Sequence, residues 1–278
     1  MKKMRFFGLA ALTALWAVLT VCAWFGPAKD FSDAERRKLA QFPELSVKTV
    51  LDGKFMTEFE SYTLDQFPLR DNFRRLKAQF ATHILGQSDN NGIYIADGYA
   101  AKQEYPLNED SVRHAVDRFT YIYKNYLEDS QVYFALVPDK GQYLAEESGH
   151  LALDFGKMQR LLAEVMPWAT HIDLYDSLNY TDYYRTDTHW RQENLLEAAK
   201  ILCEAMNVTP PDKQDYTVTA MERPFYGVYY GQAALPMKPE AMYVMDSELL
   251  SCCQVYDFES GKYNQVYNMD KLTSRDLY

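Results

Sequence analysis

The chain has 278 residues, enough for one large domain or a domain with an appendage, and its 47% hydrophobic and 24% charged residues are those of an ordinary globular protein. A net charge of −10 with no basic cluster argues against a nucleic-acid partner, because phosphates need clustered cations. Cys22, Cys203, Cys252 and Cys253 have no zinc or redox spacing, so no disulfide framework, resident metal or cofactor is expected. The 22 tyrosines suit sugar stacking but suit strands and half-buried surfaces better.

Lys2, Lys3 and Arg5 precede an apolar run over residues 6–26, long enough to cross a bilayer as a helix. It exceeds a signal-peptide core and no small-x-small cleavage site follows it, so an uncleaved anchor is expected, with a cleaved signal and secretion as the alternative. The leading cations place the N-terminus inside and the chain from Pro27 onward outside the cytoplasm. A lipoprotein reading at Leu19-Thr20-Val21-Cys22 is disfavoured by Val21, which stands where a small residue belongs.

Residues 31–86 read as a helical connection. Ser32 or Asp33 is placed to cap a helix over residues 34–39, and amphipathic helix runs on either side of Asp65-Gln66-Phe67-Pro68-Leu69-Arg70-Asp71, where Pro68 holds Phe67 extended. Asn90-Asn91-Gly92 then turns the chain into a strand over residues 93–96.

Next, Val112, Ala115, Val116, Phe119, Ile122, Tyr123 and Tyr126 keep helical spacing, and residues 132–137 form a short apolar run of strand type. A helix over residues 155–165, a strand over residues 171–174 and a helix marked by Leu195, Leu196, Ala199, Leu202, Cys203 and Met206 follow. This alternation predicts an α/β fold, a parallel sheet with helices on its faces and its site beyond the carboxyl ends of the strands. Pro138, Asp139 and Lys140 follow the first strand and residues 187–190 follow the second, so both loops open on one edge. From Asp215 the chain reads as a C-terminal β excursion. It has an aromatic and glycine-punctuated run from Phe225 to Gly231, a strand over residues 242–245, and residues 255–258 pairing with 265–267. Cys252 and Cys253 fall in a strand-like run, and Cys203 on a helix core face.

Asp187, Thr188, His189 and Trp190 carry the most suggestive chemistry. In an extended segment alternate side chains share a face, so Asp187 and His189 are expected to emerge together with Thr188 opposite. A carboxylate at one imidazole nitrogen fixes the tautomer and leaves the other to take a proton from a nucleophile. The plain reading of such a pair is a surface hydrogen bond or a helix cap, and of Lys140 an ion-pair partner. His171 and Asp173 with the first pair make up two imidazoles and two carboxylates, an alternative metal site, although in a strand they more readily pack and cap. Cys252 or Cys253 as a nucleophile is a further alternative.

Tyr184-Arg185-Thr186-Asp187-Thr188-His189-Trp190, with Asp65-Gln66-Phe67-Pro68-Leu69-Arg70 upstream and Val137-Pro138-Asp139-Lys140 between, resembles the DHHW family of extracytoplasmic proteins. That family is similar to the AlgX/AlgJ-like polysaccharide O-acetyltransferases of SGNH-hydrolase type. The resemblance runs from about Phe31 to the end. It implies an SGNH-like parallel sheet flanked by helices over residues 87–278, behind a connection over 31–86 and an anchor or signal over 1–30. It also implies a serine-dependent esterase or O-acetyltransferase acting on cell-surface polysaccharide, with a membrane partner as acyl donor. Asp187 and His189 take the catalytic roles, and Trp190, Tyr184, Arg185 and Lys140 the substrate contacts.

The family serine is expected in an Asp-Ser-(Phe/Tyr) block after the β excursion. Asp246-Ser247-Glu248 does not match it, nor do the surroundings of Ser251, Ser260 and Ser274. The fold is therefore expected to be incomplete, the chain ending before its nucleophile and inactive as it stands, with a non-catalytic glycan-binding or envelope-assembly protein as the alternative. Arg191 and Asn194 replace a helix-capping hydroxyl and a glycine of the family pattern, and Thr188 replaces the second of its four namesake residues, a histidine.

Overall fold

In the computed structural model, which describes residues 2–32 and 34–267, the N-terminal apolar run is one helix, α1 (Lys2–Phe25). Its segment Arg5–Phe25 is long and apolar enough to cross a membrane. Phe6, Leu9, Leu12, Trp16, Val18 and Val21 are all exposed, so the helix is apolar around its circumference, unlike the one-sided stripe of a surface helix. The chain divides into two units, Met1–Ile84 and Leu85–Tyr278.

In the first unit, β1 (Phe31–Ser32) and β2 (Arg37–Lys38) pair antiparallel. This hairpin replaces the helix expected over residues 34–39. Arg36 takes a left-handed φ of 54°, which a helix does not tolerate, and Ser32 Oγ accepts from Glu35 N inside the turn. Asp33, the alternative cap, lies outside the described residues. Ser46 caps α2 (Val47–Leu51), and α3 (Lys54–Asp65) and α4 (Arg70–Gln79) follow, the last continuing as a π turn over Phe80–Ile84. Between α3 and α4, Leu69 adopts φ 58° after Pro68, so the helix breaks where the proline demands.

The Asp65 to Arg70 motif is a clasp. Asp65 accepts two bonds from the Arg37 guanidinium at 2.6 and 2.8 Å and one from Ala40 N at 2.9 Å. Gln66 accepts from Lys29 N and donates to the carbonyls of Lys29 and Ala40, while Arg70 reaches Glu35 at 2.5 Å. The motif ties residues 29–40 to the α3–α4 corner. The Arg37 guanidinium holds the Asp65 carboxyl down at about 2.

The second unit begins with β3 (Ile93–Ala96) and β4 (Tyr99–Lys102), paired antiparallel through Asp97-Gly98, both at positive φ as a two-residue hairpin turn requires. Asn108 caps α5 (Glu109–Ile122), which continues as a π turn, and β5 (Val132–Leu136), α6 (Gly141–Leu144), α7 (Phe155–Val165) and β6 (Ala169–Asp173) follow. β5 and β6 pair in parallel, Val132 opposite Ala169. Alternate side chains of β5 face opposite layers. Phe134 and Leu136 meet Val116, Leu162 and Met166 on the α5 and α7 side. Tyr133 and Ala135 meet Ile172, Leu174, Leu178 and Ala198, the last from α8 (Leu196–Ala205).

The parallel arrangement comprises these two strands alone among the described residues, a smaller sheet than expected. The remaining pairs are antiparallel. β7 (Thr217–Phe225) is mostly exposed and polar, unfit for a sheet buried on both faces, and it pairs with β8 (Glu240–Asp246) across α9 (Val228–Ala233). The aromatic run from Phe225 to Gly231 is thus half helix, contrary to the β reading, because its backbone N–H groups find acceptors in a distant turn. Ser247 caps α10 (Glu248–Cys252), so Cys252 is helical and not in a strand, and all four cysteines are unpaired thiols. β9 (Gln254–Asp257) and β10 (Lys262–Gln265) close a hairpin three residues nearer the turn than the partner predicted at 265–267.

Candidate functional site

Residues 182–191 double back on themselves: Tyr184 N donates to His189 O at 3.0 Å, Arg191 N to Asp182 O at 2.7 Å, and Tyr183 bridges Trp190. Asp187 and His189 sit at the reversal and not in the extended segment the alternation argument assumed. A turn brings them together instead. Asp187 Oδ1 accepts from His189 N at 3.0 Å, a local bond two residues long of the kind aspartate makes readily, and from His189 Nδ1 at 2.5 Å. Asp187 is fully buried, while the His189 side chain is 61% exposed.

Distant residues complete the carboxylate's surroundings. Val228 N donates to Asp187 Oδ2 at 2.7 Å, and Tyr229 N and Tyr230 N donate to Thr186 O at 3.0 and 3.2 Å. The first N–H groups of α9, which have no partners within the helix, are therefore taken up by the turn. Gly227 N donates to Thr186 Oγ1 at 2.9 Å, and a Cβ at Gly227 would collide with the Asp187 side chain and Thr186 O. Thr186 gives its own N–H and hydroxyl to Glu240 Oε1. At the other end of α9, Asn90 and Asn91 donate to the carbonyls of Ala233 and Gln232.

The loop after β5 lies under the same turn, as the shared sheet edge implied. The Tyr183 hydroxyl donates to Pro138 O, and Asp139 Oδ1 accepts from Gly141 N. Lys140 is fully buried, and its ammonium donates to Tyr184 O and Asp187 O, both at 2.6 Å, and to Arg185 O at 3.4 Å. Burial pushes it down to about 8, opposed by the charges of Asp139, Glu240 and Asp187. Neither the expected substrate contact nor an ion pair describes it, since its hydrogen-bond partners are main-chain carbonyls.

The other expected substrate contacts divide. Tyr184 is buried with its ring against Phe225, so it supports the turn from below. Trp190 packs against the core of β6 and α8. Arg185 is exposed with its guanidinium over the Tyr99 ring. His171 stacks on Phe134, and Asp173 accepts from Tyr175 N and Gln159, so both serve packing and capping as their strand setting suggested. Gly227, Val228 and Glu240 were not evident from the local sequence. Gly227 has an ordinary φ of −80°, and its requirement for space arises from a residue 40 positions away.

Among the serines, Ser247 Oγ accepts from Leu250 N at the head of α10, beyond the end of β8 opposite to Glu240, about 20 Å along a strand rising about 3.3 Å per residue. Ser260 donates to Asp257 within the β9–β10 turn, Ser251 lies in α10, and Ser274 lies outside the described residues.

No protein-family model matches the chain, and no curated protein does. Among solved structures, a DHHW family protein from Eubacterium siraeum is similar over 58% of this chain and 56% of its own, at 19% identity and a TM-score of 0.46. Bacillus cereus PatB1 is similar over 66% of this chain and 68% of its own, at 14% identity and a TM-score of 0.47. PatB1 with a sulfonyl adduct is similar over 65% and 63%, at 15% identity and a TM-score of 0.47. The chain thus spans little more than half the length of the DHHW family protein it matches.

Proposed function

We propose that the second unit carries the base and acid of a serine-type acyl-transfer site, an esterase or O-acetyltransferase acting on a cell-surface glycan and held outside the cytoplasm by α1. The observation that supports this is the Asp187–His189 pair. A buried carboxylate, fixed by Val228 N–H, meets Nδ1 of an exposed imidazole at 2.5 Å. A carboxylate accepts only, so Nδ1 carries the proton and Nε2 of the neutral ring has the lone pair. Nε2 then takes the proton of an attacking hydroxyl as its oxygen adds to the acyl carbon, and the imidazolium returns it to the departing oxygen.

Turnover of a chromogenic acetyl ester by the full chain tests this reading. The sequence predicts a chain inactive as it stands, and the described serines Ser247 and Ser260 are committed to Leu250 N and Asp257 instead of His189. With water as the attacking hydroxyl at Nε2, the expected result is slow hydrolysis that disappears in His189→Ala, and equal rates in wild type and His189→Ala overturn the reading. A non-catalytic glycan-binding or assembly role is favoured by one observation, the commitment of Ser247 to a helix cap. Glycan binding that survives Asp187→Asn, in a chain with no ester turnover, supports that second reading.

A further inference from the structure

We propose that Lys140 is the positioning residue of this site: its ammonium gathers the carbonyl oxygens of Tyr184, Arg185 and Asp187 and so sets the turn in which Asp187 meets His189 and Val228. An ammonium has three donors and no acceptor, and three carbonyls stand around this one. Those carbonyls come from a four-residue stretch that carries the carboxylate at its end. The remaining carbonyl of the stretch, Thr186 O, is bound by α9, and Ala100 N of β4 shares Arg185 O at 2.7 Å. Three separate elements therefore grip the carbonyls of the turn, Glu240 of β8 holds its Thr186 N–H, and Lys140 is the one that holds it at both ends.

The lysine is itself held in place. It follows β5 directly, the Tyr183 hydroxyl fixes Pro138 O beside it, and its ammonium lies 5.2 Å from the Tyr229 ring and 5.9 Å from the Tyr99 ring. The charged groups facing it are Asp139 from its own loop, Glu240 from β8 and Asp187 from the turn. Without the ammonium, buried carbonyls would lose their donor and the turn would relax toward water. Its consequence for turnover rests on the acyl-transfer reading; the geometric claim does not.

The test is nuclear magnetic resonance of the full chain in detergent, following the Asp187 carboxyl carbon, the His189 Nδ1 nitrogen and the Lys140 ε-carbon. Lys140→Met is expected to shift both the Asp187 and His189 signals while Phe134-stacked His171 keeps its own. Unchanged Asp187 and His189 signals in that variant overturn the proposal. Should Lys140→Met fail to fold, wild type alone decides. As pH rises, Asp187 and His189 are expected to show an inflection at the Lys140 midpoint, and deprotonation of Lys140 without that inflection overturns the role. Where wild type turns over an ester, Lys140→Met lowers kcat about a hundredfold with KM unchanged, the scale of a misplaced group. Absence of turnover in wild type removes the acyl-transfer reading and leaves the spectra to decide the positioning role.

Discussion

The backbone of Gly227 stands against the Asp187 side chain so closely that no Cβ fits between them, and this contact, not backbone freedom, explains the glycine. Gly227→Ala should push α9 from the turn, lengthening the Val228 N–H bond to Asp187. The expected destabilisation is about 1–3 kcal/mol, the range for overpacking a filled interior. Urea unfolding of the second unit reads it, and ester turnover should fall with it.

Asp187→Asn keeps the shape and removes the charge. The amide cannot accept from Val228 N–H, His189 N–H and Nδ1–H together, because its nitrogen is a donor facing a donor. A loss of about 1–3 kcal/mol in stability is expected from one unsatisfied buried bond. Any acyl transfer should fall by about four orders of magnitude, as when an amide replaces a triad carboxylate and the wrong tautomer forms. Single-turnover kinetics and unfolding curves on the same preparation separate the two effects.

Thr186 distinguishes shape from hydrogen bonding. Its hydroxyl accepts from Gly227 N and donates to Glu240. Thr186→Val should cost about 1–3 kcal/mol by stranding a buried N–H, whereas Thr186→Ser, which keeps the hydroxyl, should retain most of that stability. Equal unfolding midpoints for the two variants would contradict the hydrogen-bond account.

Acid should act on the first unit through Asp65. Its folded value of about 2 lies below the unfolded value of about 3.9, so the unfolded chain binds more protons between them. The stabilisation is complete above about pH 5 and lost progressively as pH falls through about 4 toward and below 2. Asp65→Asn should be less stable at neutral pH and flatter across that acid window, as followed by thermal unfolding at a series of pH values.

Some of the architecture was legible because its cause is local. The Pro68 break, the Asn91-Gly92 turn and the helix over residues 155–165 each depend on dihedral preference or on spacing within a few residues. The hairpin at residues 31–38 is not evident locally because its determinant is Asp65, a partner 28 positions from Arg37, and a local helical pattern yields to a part-buried bidentate ion pair. Likewise the run from Phe225 to Gly231 reads as aromatic strand until the turn at Thr186 supplies acceptors for the first N–H groups of a helix.

The sequence by itself determined the apolar N-terminal helix, the α/β alternation around β5 and β6, and the pairing of Asp187 with His189, because each is written in neighbours or in a period. Only the tertiary structure decided that this pair meets in a reversal, that Lys140 and Tyr184 lie beneath it, and that Gly227, Val228 and Glu240 complete its surroundings. The physical reason is that carbonyls and N–H groups of a turn carry no side-chain identity. What satisfies them is chosen by the fold that brings an ammonium, a helix terminus and a carboxylate from 44 to 54 residues away, and 40 or so in the case of α9, to the same buried point.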